Sequence, residues 1–172
     1  ILTGFINLRP EYVDEQITAA LRSVGQLCGA DRCMVLLNGE KDFGGGKIYE
    51  WCAAGVAPRS KDMADFSLRR DLSYLASRMS AGEIVHFHSL AELPPEADAD
   101  RAFLENVGVG VHIMAPMSLR GKLAGFLSLD FAECQGTCKP ENLLLLKLFG
   151  EMLIGALERR RTETALLENE EN

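Results

Sequence analysis

Hydrophobic residues concentrate in two runs, Val109 to Leu119 and Lys122 to Phe131, separated by a basic residue and a glycine at Arg120-Gly121. Runs of this length, rich in branched and large side chains and joined by a short glycine-containing link, predict an antiparallel β-hairpin. Strand alternation puts Val109, Val111, Ile113 and Ala115 on one face and Gly110, His112 and Met114 on the other. In the second run Leu123, Gly125, Leu127 and Leu129 oppose Ala124, Phe126, Ser128 and Asp130. Neither face is polar throughout, so the hairpin is expected at the centre of a sheet covered on both sides.

Around that pair the pattern alternates between helical and extended periods. Val13, Ile17, Ala20, Leu21, Val24 and Leu27 recur at helical spacing and predict an amphipathic helix over Glu11 to Ala30. Cys33 to Leu37 and Lys47 to Val56 predict two strands joined by a polar loop that contains Gly44-Gly45-Gly46. Because a strand rather than a helix follows those glycines, they predict a turn and not a phosphate cradle. Pro58 to Arg70 reads as irregular, and Asp71 to Ser80 as a helix with Asp71 at its N-cap. A short alternating strand over Glu83 to His88, a linker holding Pro94-Pro95 and a helix from Glu96 to Asn106 complete the middle of the chain. The last helix starts at Pro140 and can run to Leu167, roughly 40 Å at the standard rise.

The 172 residues, 47% of them hydrophobic, suffice for one domain with a sizeable core. The expected division is a lead-in at 1–10, a domain at 11–157, and an exposed helix end at 158–172 that leads to an output domain. A net charge of −7 argues against a nucleic-acid partner, which favours a basic stripe. Arg159-Arg160-Arg161 lies among acidic residues and reads as a solvated helix face. Apolar stretches are interrupted before they reach the length of a membrane span, so no membrane contact is expected. The chain opens on Ile1 with no signal peptide, and is expected to be a piece of a longer cytoplasmic protein.

Candidate chemistry is sparse. His86 and His88 share a strand face, but the sequence supplies no evident third ligand, and an edge strand facing water explains them; no metal is expected. His112, flanked on its face by Gly110 and Met114, is either a buried, hydrogen-bonded histidine or a ligand contact. Cys28, Cys33 and Cys52 read as small buried residues. Cys134 and Cys138, in one loop, are the candidate redox pair, although a cytoplasmic chain keeps thiols reduced. No phosphate loop, nucleophile elbow or facing carboxylate pair is present, and no catalytic residues are assigned.

Several short motifs occur in a familiar order: Tyr49-Glu50-Trp51-Cys52, Gly55-Val56 and Pro58, then Leu93-Pro94-Pro95-Glu96-Ala97 and Arg101-Ala102-Phe103-Leu104. Gly108-Val109, Ala115-Pro116, Gly121, Gly125-Phe126-Leu127 and Leu129-Asp130-Phe131 follow. In order and spacing, from about Glu11 to Leu167, the chain resembles a GAF domain of the kind found in bacterial sensor histidine kinases and in diguanylate cyclases and phosphodiesterases. The resemblance implies an α/β (α+β), profilin-like fold: an antiparallel sheet of five or six strands with helices on both faces, the N- and C-terminal helices together on one. It implies a regulatory sensor of a signal-transduction protein, not itself an enzyme, with any small-molecule pocket between the sheet and the middle helices. Candidate pocket residues, large and apolar with a few polar tips, are Trp51, Tyr74, Leu75, Phe103, His112 and Met114. The Asn-Lys-Phe-Asp-Glu set of cyclic-nucleotide binders and the Cys-His dipeptide of bilin attachment are absent, and no motif supports haem, so the cofactor stays unassigned. The competing readings are a ligand-free dimerisation module and a free methionine sulfoxide reductase, whose cysteine spacing this chain does not follow.

The terminal helix carries a further expectation. Leu146, Phe149, Leu153 and Leu157 follow steps of three, four and four and form a stripe of the kind that pairs helices. Leu143 to Leu157 holds more apolar positions than one contact face needs, so the stripe is expected to form a homodimer seam that weakens towards Arg160, Thr164 and Leu167. The alternative is that the stripe covers the sheet of its own subunit.

Overall fold

The computed structural model describes residues 12–38, 46–109, 111–132 and 139–170. The lead-in, nearly all of the glycine loop, and Cys134 and Cys138 lie outside the described residues. In chain order the elements are α1 (Val13–Cys28), β1 (Arg32–Leu37), β2 (Ile48–Cys52), α2 (Leu68–Asp71), α3 (Ser73–Ser80), β3 (Val85–Phe87), α4 (Asp98–Asn106), β4 (Val111–Leu119), β5 (Lys122–Phe131) and α5 (Pro140–Glu170). The five strands form one sheet in the order β2-β1-β5-β4-β3, with every neighbouring pair antiparallel. The predicted hairpin is thus β4 and β5, with β5 at the centre and β3, which carries His86, at an edge.

One core fills each side of the sheet. Val13, Ile17, Leu21 and Val24 of α1 pack with Cys33 and Val35, with Ile113, Ala115 and Met117, with Leu127 and Leu129, and with Leu146, Phe149 and Leu153 of α5. On the opposite side, Met34, Met114 and Phe126 meet Leu68, Leu72, Leu75, Met79 and Leu104 from the middle helices. The helical period of α1 from Val13 to Val24 and the strand period of β1, β4 and β5 therefore sort most residues as their patterns predict, but Leu27, expected in the α1 stripe, is exposed in the last turn of the helix. Gly29, at φ 67°, closes α1 in a left-handed cap, its N–H donating to the carbonyl oxygens of Gln26 and Gly25.

Three local expectations are corrected. A bulge between Met117 and Ser118 pairs Met117 with Gly125 but Ser118 with Leu123, so Ala124 is the extra residue. Beyond it the alternation reverses: Leu123 joins the core beside the middle helices and Ala124 packs against the helix layer. Val109 precedes the strand and is buried on the side of the middle helices rather than with Ile113. Asp71 does not cap α3; it ends α2 and its carboxylate accepts from the Ser67 N–H at 2.8 Å. The start of α3 is capped instead from α4, where buried Asp100 accepts from the N–H groups of Tyr74 and Leu75 at 3.3 and 2.9 Å.

The expected dimer seam is also corrected. Leu146 and Phe149 are 1% exposed and Leu153 is 0% exposed within a single chain, and Leu157 packs against the same core. A helix that crosses its own sheet consumes that stripe in covering it, which leaves Leu146, Phe149 and Leu153 no surface to offer a second subunit, while Leu157 is half-buried. The apolar side chains that α5 exposes in its domain half are Leu144 and Leu148, and α1 exposes Leu27. From 161 to 170 every residue of α5 is exposed.

Candidate functional site

Strand alternation that sends Ile113, Leu127 and Leu129 to the helix layer sends His112, Ser128 and Asp130 the other way, together with Arg32 at the start of β1. Cross-strand register then makes neighbours of them: Arg32 faces Asp130, and Asp130 faces His112. The Asp130 carboxylate is 7% exposed and takes three charge-assisted contacts. One oxygen, Oδ2, accepts from Nη1 of Arg32 and from Nη1 of Arg59, both at 2.9 Å, and Oδ1 lies 2.5 Å from Nδ1 of His112. Nε of Arg32 pairs with Glu50 at 3.0 Å, and its Nη2 donates to the Ala57 carbonyl at 2.5 Å. Glu50 in turn accepts the N–H groups of Arg59 and Ser60, which fixes the segment carrying Arg59. Arg59 also donates to the Gly108 carbonyl, just beyond α4, at 2.6 Å.

Burial opposes ionisation of Asp130, but His112, Arg32 and Arg59 outweigh it and hold the carboxyl down at about 2. Burial likewise pulls Arg59 below the ordinary arginine value. A buried charge network of this kind stands only while each member keeps its partners.

Between this network and the middle helices lies a small, partly open cavity of about 30 Å³, bordered by Met34, Met63, Phe103, Met114, Phe126 and the polar end formed by Arg59, His112, Ser128 and Asp130. Ser128 is 1% exposed, and its hydroxyl has no hydrogen-bond partner among the described residues. A volume of that size admits one or two waters or a comparable small group. Arg59, Met63 and Val107 also border a neighbouring cleft of about 450 Å³, together with Arg32, Asp62 and Asn106.

Of the six pocket residues expected from sequence, Phe103, His112 and Met114 border this cavity. Tyr74 and Leu75 pack in the same core but do not border it; Leu72 does. Trp51 lies on the other face of the sheet, because β2 sets it opposite Cys33, and it packs against α1. The contact is close enough that a Cβ on Gly25 would stand 2.4 Å from the Trp51 ring. Arg32, Arg59, Ser128 and Asp130 were not singled out in the sequence. The signal available was a serine and an aspartate alternating on one face of an otherwise apolar central strand.

His112 and Asp130 form the buried half of an arrangement that can activate a nucleophile, but the unpartnered Ser128 hydroxyl is not hydrogen-bonded to His112, so the relay has no third member. None of the three described cysteines borders the cavity, and burial pushes the Cys33 thiol well above its ordinary value. The His86 and His88 rings lie with centroids 4.5 Å apart and planes tilted by 47°, and Glu92 lies 3.8 Å from His88. Among the described residues, no group of three metal-ligating side chains converges.

The GAF domain family model matches residues 13–157, most of the chain. The chain belongs to the GAF domain family. No curated protein matches the sequence. Among solved structures, the chain is similar to GAF3 from Slr1393 of Synechocystis sp. PCC6803 in its photoproduct state, at 18% identity and a TM-score of 0.70 over 89% of this chain and 98% of that one. It is also similar to a red/green cyanobacteriochrome in its red light-absorbing state, at 20% identity and a TM-score of 0.66, with 90% and 97% covered. The chromophore-binding domain of an unusual bacteriophytochrome from R. palustris matches at 14% identity and a TM-score of 0.71, covering 92% of this chain and 60% of that one. At these identities the likeness is one of fold. A linear tetrapyrrole does not fit the cavity found here, whose volume of about 30 Å³ is far below that of ordinary ligand pockets. Among the described residues no helix is long and apolar enough to cross a membrane.

Proposed function

We infer that this GAF domain is a regulatory, non-catalytic module of a cytoplasmic signal-transduction protein, and that it senses a small molecule at the cavity beside Asp130. The observation that carries this reading is the Ser128 hydroxyl, buried and without a partner at the polar end of an apolar cavity. An unsatisfied buried hydroxyl costs about 1–3 kcal/mol, a cost that a ligand able to hydrogen-bond it would relieve. The geometry supports a ligand much smaller than a tetrapyrrole. A thermal-shift screen of small metabolites against the wild type and a Met114→Trp variant, whose indole fills the cavity, tests it. Stabilisation of the wild type alone is expected; ligands that stabilise both proteins equally would remove the cavity from the reading.

The domain is further proposed to dimerise through its helix layer and to pass its signal along α5 to an attached output domain of the histidine kinase or diguanylate cyclase and phosphodiesterase type. What supports this is the exposure of Leu27, Leu144 and Leu148 on the two helices of that layer, and the run of exposed residues from 161 to 170. Sedimentation of the wild type and of Leu144→Glu/Leu148→Glu is the test, with a dimer expected only for the former. The small cavity favours one alternative, a dimerisation module with no ligand, and an empty screen together with an intact dimer is its signature.

A further inference from the structure

Edge strand β3 leads into a pair of imidazoles. His86 sits opposite Ile113 of β4, on the helix-layer face of the sheet, and His88 follows just beyond the strand, while Phe87 between them enters the core on the other side. The two rings meet with their centroids 4.5 Å apart, His86 half-buried and His88 exposed. Their frame is fixed: β3 pairs with β4 from Val85 to Phe87, and Arg101 of α4 donates from Nε to the Leu90 carbonyl, at 3.1 Å, in the turn at Leu90–Glu92. That turn returns Glu92 to His88, where Oε1 accepts the His88 backbone N–H at 3.2 Å and lies 3.8 Å from Nδ1. The pair is on the opposite face of the sheet from the cavity beside Asp130, since His112 and Ile113 alternate along β4.

We propose that His86 and His88 chelate one divalent transition-metal ion, of the nickel or copper type, with Glu92 as the carboxylate behind His88. An ion bound about 2.0–2.1 Å from an imidazole nitrogen lies roughly 3.2 Å from the ring centre; two such rings at right angles then have centres roughly 4.5 Å apart, and at the tetrahedral angle roughly 5.2 Å. The observed separation is the right-angle value, which belongs to square-planar and octahedral ions rather than to tetrahedral zinc. A carboxylate beside Nδ1 of His88 favours the tautomer that carries its proton there, which leaves Nε2 as the lone-pair donor to the metal. It also sets a negative charge close to the cation. Among the described residues no third ligating side chain converges on the pair, so water fills the remaining positions, and the site is open and exchangeable rather than structural.

Calorimetric titration of the untagged, reduced chain with Ni2+ and with Zn2+ tests the proposal, and urea unfolding checks that each variant keeps its fold. One Ni2+ per chain is expected, bound more tightly than Zn2+. Glu92→Gln should weaken Ni2+ binding about tenfold, the low end of the effect of a carboxylate that supports a ligating histidine, and His86→Ala and His88→Ala should each weaken it by more. The double histidine variant should lose less than the product of the two single losses, because either change alone already ends chelation. Affinity unchanged in either histidine variant, no binding heat from Ni2+ in the wild type, or Zn2+ bound more tightly than Ni2+ would overturn the site. A Glu92→Gln variant that binds Ni2+ as the wild type does would remove the carboxylate from it.

Discussion

On the helix side of the sheet Ile113, Leu127 and Leu129 meet α1 and α5 in a core that, among the described residues, buries no charge; on the other side the same strands present His112, Asp130 and, from β1, Arg32. The two layers share a backbone, and strand alternation alone assigns each residue to one or the other. The helix layer is held by volume, so its weak points are places where atoms are removed or added. The opposite layer is held around a carboxylate with three cationic or polar partners, so its weak point is a charge left alone. A domain that keeps its packing on one face and its polar chemistry on the other can adjust the second with little disturbance of the first.

The sharpest break of that contrast is Asp130→Ala, which strands Arg32 in a buried position. A loss of about 3–5 kcal/mol is expected in urea unfolding, and a loss below about 1 kcal/mol would mean that water reaches the network. Leu153→Ala on the helix side should cost about 2–5 kcal/mol through a cavity that the packed layer cannot close. Leu144→Ala on the same helix, at an exposed position, should stay within about 0.5 kcal/mol. A larger loss at Leu144 than at Leu153 would reverse the assignment of inner and outer faces of α5.

Acid separates the two layers without mutation. The Asp130 carboxyl titrates at about 2 in the folded chain against an ordinary 3.8, so its contribution is present above about pH 4 and is lost as pH falls towards 2. That shift corresponds to somewhat over 2 kcal/mol. Asp130→Asn should therefore flatten the acid limb of the stability profile, and an unchanged limb would assign acid sensitivity to other carboxylates.

Gly25→Ala tests how tightly the helix layer is packed. The change gains helix propensity of about 1 kcal/mol but forces a Cβ into the Trp51 ring, and a net loss of about 1–2 kcal/mol is expected. Pairing it with Trp51→Leu should recover most of the loss in a double-mutant cycle. The smallest effect is that of Ser128→Ala, which removes an unpartnered buried hydroxyl and should leave stability unchanged or raise it by up to about 1 kcal/mol. A loss above that would reveal a partner for the hydroxyl.

Much of this was legible in the chain before any coordinates. The central hairpin, the amphipathic first helix and the burial of His112 and Met114 follow from local periods, because a side chain's direction is set within a few residues along the backbone. Leu123 and Ala124 escaped that logic: one bulged residue reverses the positions on its far side, here Leu123, and bulges leave little trace in an apolar run. Trp51, a pocket candidate by size, lies away from the cavity because an isolated strand has alternation but no sign; only its pairing with Cys33 says which side is which. For Leu146, Phe149 and Leu153, an apolar stripe states that something covers it but not whether the cover is the same chain or another.

The sequence by itself determined the family and the sheet with helices on both faces, since these rest on local period and on the order of short motifs. It also determined the alternation that sets Ser128 and Asp130 on one side of β5. Only the tertiary structure decided that Arg32 and Arg59 share Asp130 across separations of 98 and 71 residues, and that Ser128 is left unpartnered beside them. Contacts at such distances depend on strand order and register, which are fixed when the whole chain closes and both cores fill, and no local pattern encodes them.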